Sequence, residues 1–177
     1  DAADKLILRQ LEDRGETVGN VLVVNDNWGA LTTVLAHHRP STLSDSYLAQ
    51  AATRDNLKRN RTDPAAVTYL TSFDPMPVRI DVVVMKVPKS LALLEDQLHR
   101  IAPHLHDKTT VLAGAMTRHI HLSTLALFAK IVGPTRTSLA EQKARLIFCE
   151  PDPNLQRQPN PWPKTYTVSP GHEVVIS

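Results

Sequence analysis

The chain has little that would cross-link it, stack on bases or carry it through a bilayer. Cys149 is its only cysteine, so no intrachain disulfide can form, which fits a reducing, cytoplasmic setting. Aromatic residues make up 5% of the 177 positions, which argues against an aromatic platform for single-stranded nucleic acid. The formal net charge is only +2, too small for a global field that gathers nucleic acid. No stretch is long and apolar enough to span a membrane, and no signal-peptide pattern opens the chain. There is no initiator Met, and the chain stops just after the apolar run at 174–176; both ends point to a piece of a larger protein.

What is present suffices for one domain with a sizeable core. Charge is uneven along it. Asp1, Asp4, Glu12, Asp13, Glu16 and Asp26 outnumber Lys5, Arg9 and Arg14 near the start. Between Gly114 and Cys149, Arg118, Lys130, Arg136, Lys143 and Arg145 face only Glu141. Such asymmetry marks either a nucleic-acid face or a solvated surface.

Short apolar runs alternate with helical patterns. A helix is predicted from Asp4 to Arg14, with Ile7, Leu8 and Leu11 on one face and Gly15 as a stop. The run at 21–24 reads as the first strand, and the helix after it spans 29–38 before Pro40. A short strand at Thr42 and Leu43 leads to Asp45. Ser44, Asp45 or Ser46 then caps a helix from Tyr47 to about Arg59. Further strands are predicted at 67–70, 79–85 and 109–113, and late antiparallel ones at 135–140 and 145–148. Ser90 caps a helix with Leu91, Leu94, Leu98 and Ile101 in register. A helix at 122–132 turns Leu125, Phe128, Ala129 and Val132 inward. The alternation predicts an α/β fold, a mostly parallel sheet covered on both faces with a late antiparallel hairpin, as in Rossmann-like class I methyltransferases. Residues 1–150 form this domain. The remainder, 151–177, begins with a proline-rich linker or wrapping segment at 151–163 and ends in a hairpin around Pro170-Gly171 that leads to whatever follows.

The stretch VLVVNDNWGAL at 21–31 is where such a sheet would hold a cofactor. A binding turn wants glycines, so that the backbone approaches the ligand and helix N–H groups face it. Here the turn Asn25-Asp26-Asn27-Trp28-Gly29 has one. Asp26, Gly29 and Asp45 make at best a degenerate cofactor site, Asp45 serving ribose hydroxyls or simply a helix cap. Trp28 is expected to fill or cover the vacated space. After the strand at 79–85, Lys86 and Lys89 stand where base-methylating enzymes place side-chain acceptors; ammonium groups accept nothing and suit phosphates instead. His119-x-His121 and His104-x-His106 lack the third and fourth ligands that zinc requires, so no metal is assigned. Lys86, Lys89, Arg118, His119 and His121 all follow strand ends and are expected along one edge as an RNA-binding strip, which Lys143 and Arg145 extend. No G-x-S-x-G elbow or Walker loop is present.

The blocks VLVVNDNWGAL, LSDSYLAQAATRDNLKRN, VVVMKVPKSLALLEDQL, AGAMTRHIHLSTLALFAKIVGPT and KARLIFC resemble, in order and spacing, the amino-terminal half of bacterial 23S ribosomal RNA guanine-N2 methyltransferases. The resemblance runs from about Asp1 to Glu150. It implies a parent with two tandem methyltransferase-like domains. The carboxy-terminal one would bind S-adenosylmethionine and carry an Asn-Pro-Pro-Phe motif, and the amino-terminal one would have lost both. No catalytic residue is therefore carried over and no cofactor is assigned to this chain. The implied partners are 23S ribosomal RNA and the catalytic half. The competing readings are an active S-adenosylmethionine-binding domain using Asp26, Gly29 and Asp45, and a purely structural partner of the catalytic half.

Overall fold

A computed structural model describes residues 1–15, 19–169 and 172–176. Seven strands form one sheet: β1 (Val21–Val24), β2 (Ser41–Leu43), β3 (Thr68–Leu70), β4 (Val82–Lys86), β5 (Thr110–Met116), β6 (Thr135–Thr137) and β7 (Ala144–Cys149). Their spatial order is β3-β2-β1-β4-β5-β7-β6. All neighbours are parallel except β7, which runs antiparallel to β5 and β6. Strand order reverses between β1 and β4, the crevice where sheets of this kind receive ligands.

The apolar runs are continuous because both faces are covered. Val21 and Val23 join Val82, Val84, Leu112, Leu146 and Phe148 beneath α1 (Ala2–Arg14) and α2 (Ala30–Val34). Leu22 and Val24 join Val83, Met85, Val111, Ala113 and Ile147 beneath α4 (Leu91–Ile101) and α5 (Leu122–Ile131). α3 (Tyr47–Arg59) covers the β2–β3 end, with Leu57 packed on Ala36 and Val67. The caps are local and polar. Ser46 Oγ accepts from Ala49 N at 3.2 Å and Ser90 Oγ from Leu93 N at 3.3 Å, removing unsatisfied donors from each first turn.

The predicted elements are present with shifted ends. The helix expected at 29–38 is a five-residue α2 followed by a 3-10 turn, Ala36–His38. β4 starts at Val82, since Asp81 N bonds Asn20 O at 2.9 Å as the chain enters the sheet. β6 ends at Thr137, where Glu141 and Ala144 close the turn into β7. On α5 the expected inward Ala129 is exposed; Thr124, Phe128 and Ile131 are the buried stripe. Leu91 of α4 is 41% exposed, and Gln97 takes a place in that helix's buried stripe.

Residues 151–163 have no regular structure and lie across α5 and α4. Asp152 N bonds Val132 O at 2.9 Å and Arg157 Nε bonds Ile131 O at 2.6 Å. Asn160 Nδ2 then donates to Asp96 at 2.8 Å and Trp162 Nε1 to Glu95 at 3.0 Å. The proline-rich stretch is thus a strap over two helix ends and flanks. Beyond it, β8 (Lys164–Ser169) and β9 (His172–Ile176) pair antiparallel; the expected turn at Pro170-Gly171 lies outside the described residues. Among the described residues, no helix is long and apolar enough to cross a membrane.

Candidate nucleic-acid interface

The crevice at the β1/β4 reversal has a volume of about 540 Å³ and is bounded by the carboxyl ends of β1, β2, β4 and β5. Its floor is set by the end of β1. Asn25 takes a left-handed backbone, φ 60°, a conformation that Asn tolerates better than most residues. Its side-chain amide then pairs reciprocally with Gln97 of α4: Asn25 Nδ2 donates to Gln97 Oε1 at 2.9 Å, and Gln97 Nε2 to Asn25 Oδ1 at 2.8 Å. Asn25 Nδ2 also reaches Lys86 O at 3.1 Å. This cross-sheet amide pair was not anticipated from sequence. Its one visible signal is a glutamine at a stripe position between Leu94 and Ile101.

The three residues of the degenerate cofactor site do not converge. Asp26 is 4% exposed and its Oδ2 accepts Thr32 N at 2.8 Å, inside the first turn of α2. Burial pushes its carboxyl pKa up, against the Thr32 hydrogen bonds that lower it. Gly29 has φ +74° and packs on α3; a Cβ there would lie 2.5 Å from Thr53 Cα and 2.8 Å from Thr53 Oγ1. Helix packing therefore accounts for this glycine without a ligand. Only Asp45 reaches the crevice, with Oδ1 accepting Ser72 N at 2.5 Å. Trp28 does not fill the space: it is 73% exposed, turned to solvent, and its carbonyl accepts from Asn56 Nδ2. The turn's one glycine is taken up by α3, Asp26 is buried, and the rim carries Lys89 and Arg118.

The basic residues divide into three groups. Lys89, Arg118, His119 and His121 gather at the strand ends. Arg118 Nε donates to His119 Nε2 at 3.2 Å, a contact that suits the Nδ1–H tautomer. Desolvation, followed by the charges of Arg118, Lys89 and His121, holds the His119 pKa below its usual value. Arg118, Lys89 and His121 therefore each lie within electrostatic reach of His119. Lys89, Arg118 and His121 are exposed, and His121 N donates to Thr124 Oγ1 at 3.3 Å as α5 begins. Lys143 adjoins them through its backbone, its carbonyl accepting Thr117 N at 2.8 Å. Arg145 lies opposite Ala115 on the face shared with Ile147 and Cys149, under α5.

Lys86 forms the third group by itself. Its Nζ bonds Asp4 Oδ1 at 2.5 Å and Asp1 Oδ2 at 2.6 Å, and its side chain is 15% exposed. It ties the N-terminus of α1 to the end of β4. The histidine pairs are likewise separate. His106 Nε2 meets Asp81 Oδ1 at 2.9 Å at the opposite end of the sheet from His119. Among the described residues, no three His, Cys, Asp or Glu side chains gather as metal ligands would.

Comparison with known proteins agrees with this architecture. A family model described as the RLMG N-terminal domain matches residues 1–153. The ribosomal RNA large subunit methyltransferase G of Streptomyces avermitilis is 58% identical over 172 residues, and that of Streptomyces coelicolor 57% over 169. The alignments cover 97% and 95% of this chain but 45% of each relative, so the chain spans less than half the length of the curated relatives it matches. Among solved structures, a T. thermophilus 16S rRNA N2 methyltransferase (RsmC) in complex with AdoMet and guanosine gives a TM-score of 0.66 at 18% identity, covering 86% of this chain and 43% of that one. A precorrin 8W decarboxylase from Methanobacterium thermoautotrophicum gives 0.65 at 16%, covering 82% and 89%. At such identities the likeness is one of fold: a seven-stranded sheet of the class I methyltransferase kind. The match to the family model over 153 residues, together with this sheet, means that the chain belongs to the RLMG N-terminal domain family.

Proposed function

We propose that this chain is a non-catalytic, RNA-binding domain of an S-adenosylmethionine-dependent methyltransferase that modifies guanine N2 of 23S ribosomal RNA in the cytoplasm. Residues 1–150 form the RNA-gripping unit, and 151–177 lead toward a carboxy-terminal catalytic domain that binds the cofactor. The observation that carries this reading is the cluster of Lys89, Arg118 and His119 on the rim of the switch-point crevice, with His121 within electrostatic reach of His119. The names of the Streptomyces relatives support the choice of a large-subunit ribosomal RNA as partner. On this reading the single-glycine turn, the buried Asp26 and the cationic rim leave S-adenosylmethionine to the other domain, a division of labour between the two.

Physically, the cluster offers point charges and a planar guanidinium to phosphates. Such contacts position RNA without reading its sequence, and they release counterions. A base taken out of structured RNA for methylation costs a few kcal/mol, and backbone contacts on a tethered domain offset that cost. We assign Lys86 a positioning role, since its charge already faces Asp1 and Asp4. Lys143 borders the strip, and Arg145 supports it from beneath.

The test is RNA affinity as a function of salt. The chain should bind structured RNA, with log K falling linearly against log salt. Lys89→Ala and Arg118→Ala should each lower the slope by about 1. Absence of binding at low salt, or an unchanged slope in both variants, overturns the reading.

A further inference from the structure

Resting on that reading, we infer that the crevice beside the basic rim is a receptor for one unpaired 5′-phosphorylated nucleotide of an RNA strand. The crevice is concave and about 540 Å³ in volume, within the roughly 300–1,000 Å³ range of small-ligand sites. A duplex presents its phosphates on a convex surface and cannot enter it. A single splayed nucleotide can, since only the phosphate, ribose and base of one residue have to pass the rim.

The walls suit the three parts of a nucleotide. Lys89, Arg118 and His119 stand together on the lining and offer donors to a phosphate. Val87, Pro88 and Leu93 line the same crevice. Val87 and Pro88 are partly buried and Leu93 is 37% exposed, so an apolar wall remains for the flat face of a base. Across from them, Asn27 and Asp45 are exposed on the lining. They provide an amide and a carboxylate oxygen for ribose hydroxyls or a base edge. The floor makes no demand of its own, because Asn25 and Gln97 satisfy each other.

The two features that might have closed the crevice are both directed elsewhere. Trp28 points to solvent and Gly29 is packed on Thr53. The charge balance selects the ligand's sign. Lys86 and the Asp1 α-amino group balance the Asp1 and Asp4 carboxylates, which leaves Lys89 and Arg118 against Asp45 on the lining. An anionic nucleotide is favoured there over a cationic cofactor. With no Phe, Tyr or Trp on the lining, the contact discriminates weakly among bases.

The experiment uses fluorescence anisotropy on the 177-residue chain. The probes are an unstructured RNA strand of about ten nucleotides, a blunt duplex of the same length, and guanosine 5′-monophosphate as competitor. The variants are Leu93→Ser, which removes the apolar wall, Asn27→Leu, which fills the opposite wall, and Arg118→Ala; the first two change no charge and add no ring on which a base could stack. The single strand should bind about tenfold tighter than the duplex. Leu93→Ser and Asn27→Leu should each weaken the single strand by about fivefold and leave the duplex unchanged. Arg118→Ala should weaken both. Competition by the free mononucleotide would assign the crevice to a nucleotide as such, and competition by the strand alone to a nucleotide within a chain; either outcome supports the inference. Equal binding of strand and duplex, with Leu93→Ser and Asn27→Leu both silent and Arg118→Ala still effective, overturns the crevice and leaves the basic rim standing. No RNA binding at low salt overturns the rim reading as well.

Discussion

Lys86 and Lys89 are three residues apart and separate two roles, which makes Lys86→Met the sharpest perturbation of the strip. Methionine keeps the aliphatic stem and removes the charge. In the native chain Lys86 Nζ lies 2.5 Å from Asp4 Oδ1 and 2.6 Å from Asp1 Oδ2. The Lys86 and Asp4 side chains are 15% and 14% exposed and Asp1 is 55% exposed, so the triad lies between a surface pair and a buried one. A surface pair contributes about 0.2–1 kcal/mol, and breaking a buried pair costs about 3–5 kcal/mol. Removal of Lys86 leaves Asp4 paired only through Oδ2, with the Asp1 α-amino group at 2.6 Å. The expected loss is about 2–3 kcal/mol, read as a lower urea midpoint at unchanged slope. A cycle with Asp4→Asn should return a coupling of about 1–2 kcal/mol. RNA affinity, measured on the folded variant, should change less than about twofold, whereas Lys89→Ala should weaken RNA binding and leave the midpoint within about 0.5 kcal/mol. If Lys86→Met keeps the native midpoint and weakens RNA binding as much as Lys89→Ala, the ion-pair assignment is refuted.

Three further outcomes follow from named contacts. Gly29→Ala should cost about 2–4 kcal/mol in urea unfolding, from a left-handed backbone and a Cβ 2.5 Å from Thr53 Cα; a neutral result would show that α2 and α3 are not locked there. Asp81 has its pKa lowered from 3.8 to about 2, first by Asn20 N–H and then by Arg79 and His106. A depressed carboxyl stabilises the fold above its unfolded value and loses that contribution as pH falls from about 4 toward 2, so Asp81→Asn should flatten the acid limb of a thermal-midpoint profile. Desolvation, then Arg118, Lys89 and His121, lower the His119 pKa from its ordinary value. A bound phosphate favours its protonation, so RNA affinity should rise as pH drops below 7, and His119→Ala should reduce that rise; an identical pH profile in the variant would remove His119 from the rim.

The legible parts of the fold were those whose physics is local. The β-branched run at 21–24 and the apolar run through Val84 must be buried on both faces, and helices between them require parallel strands. Ser46 and Ser90 cap helices because a hydroxyl before an apolar-periodic segment satisfies first-turn donors. That the basic residues follow strand ends was also readable, since strand direction is fixed by the crossovers. What the sequence could not disclose was pairing over distance. Asp4 and Asp1 lie 82 and 85 residues from Lys86, and nothing local shows that α1 begins over the end of β4. The orientation of Trp28 was equally hidden. A tryptophan beside a vacant ligand loop reads as a plug, but the left-handed turn at Gly29 and the fit of α2 against Thr53 aim it outward.

These misreadings share one cause, and it bears on how the crevice kept its shape. In a cofactor-binding sheet, the glycine turn and the acidic residue after β1 serve the ligand. Here the same positions serve the protein: Gly29 admits α3, Asp26 holds the first turn of α2, and Asn25 locks onto Gln97 of α4. Each contact fixes one of the elements that frame the strand ends. The walls therefore stay apart without a ligand to hold them, because helix packing and the amide pair set the spacing. The pocket's selectivity is then free of its geometry. Lys89 and Arg118 sit on turns after β4 and β5, outside the core, where a change of side chain alters the sign of the rim at little cost in stability. A concavity maintained by the core and charged by its turns can change the sign of its rim without refolding, and this separation accounts for an open crevice with a cationic rim.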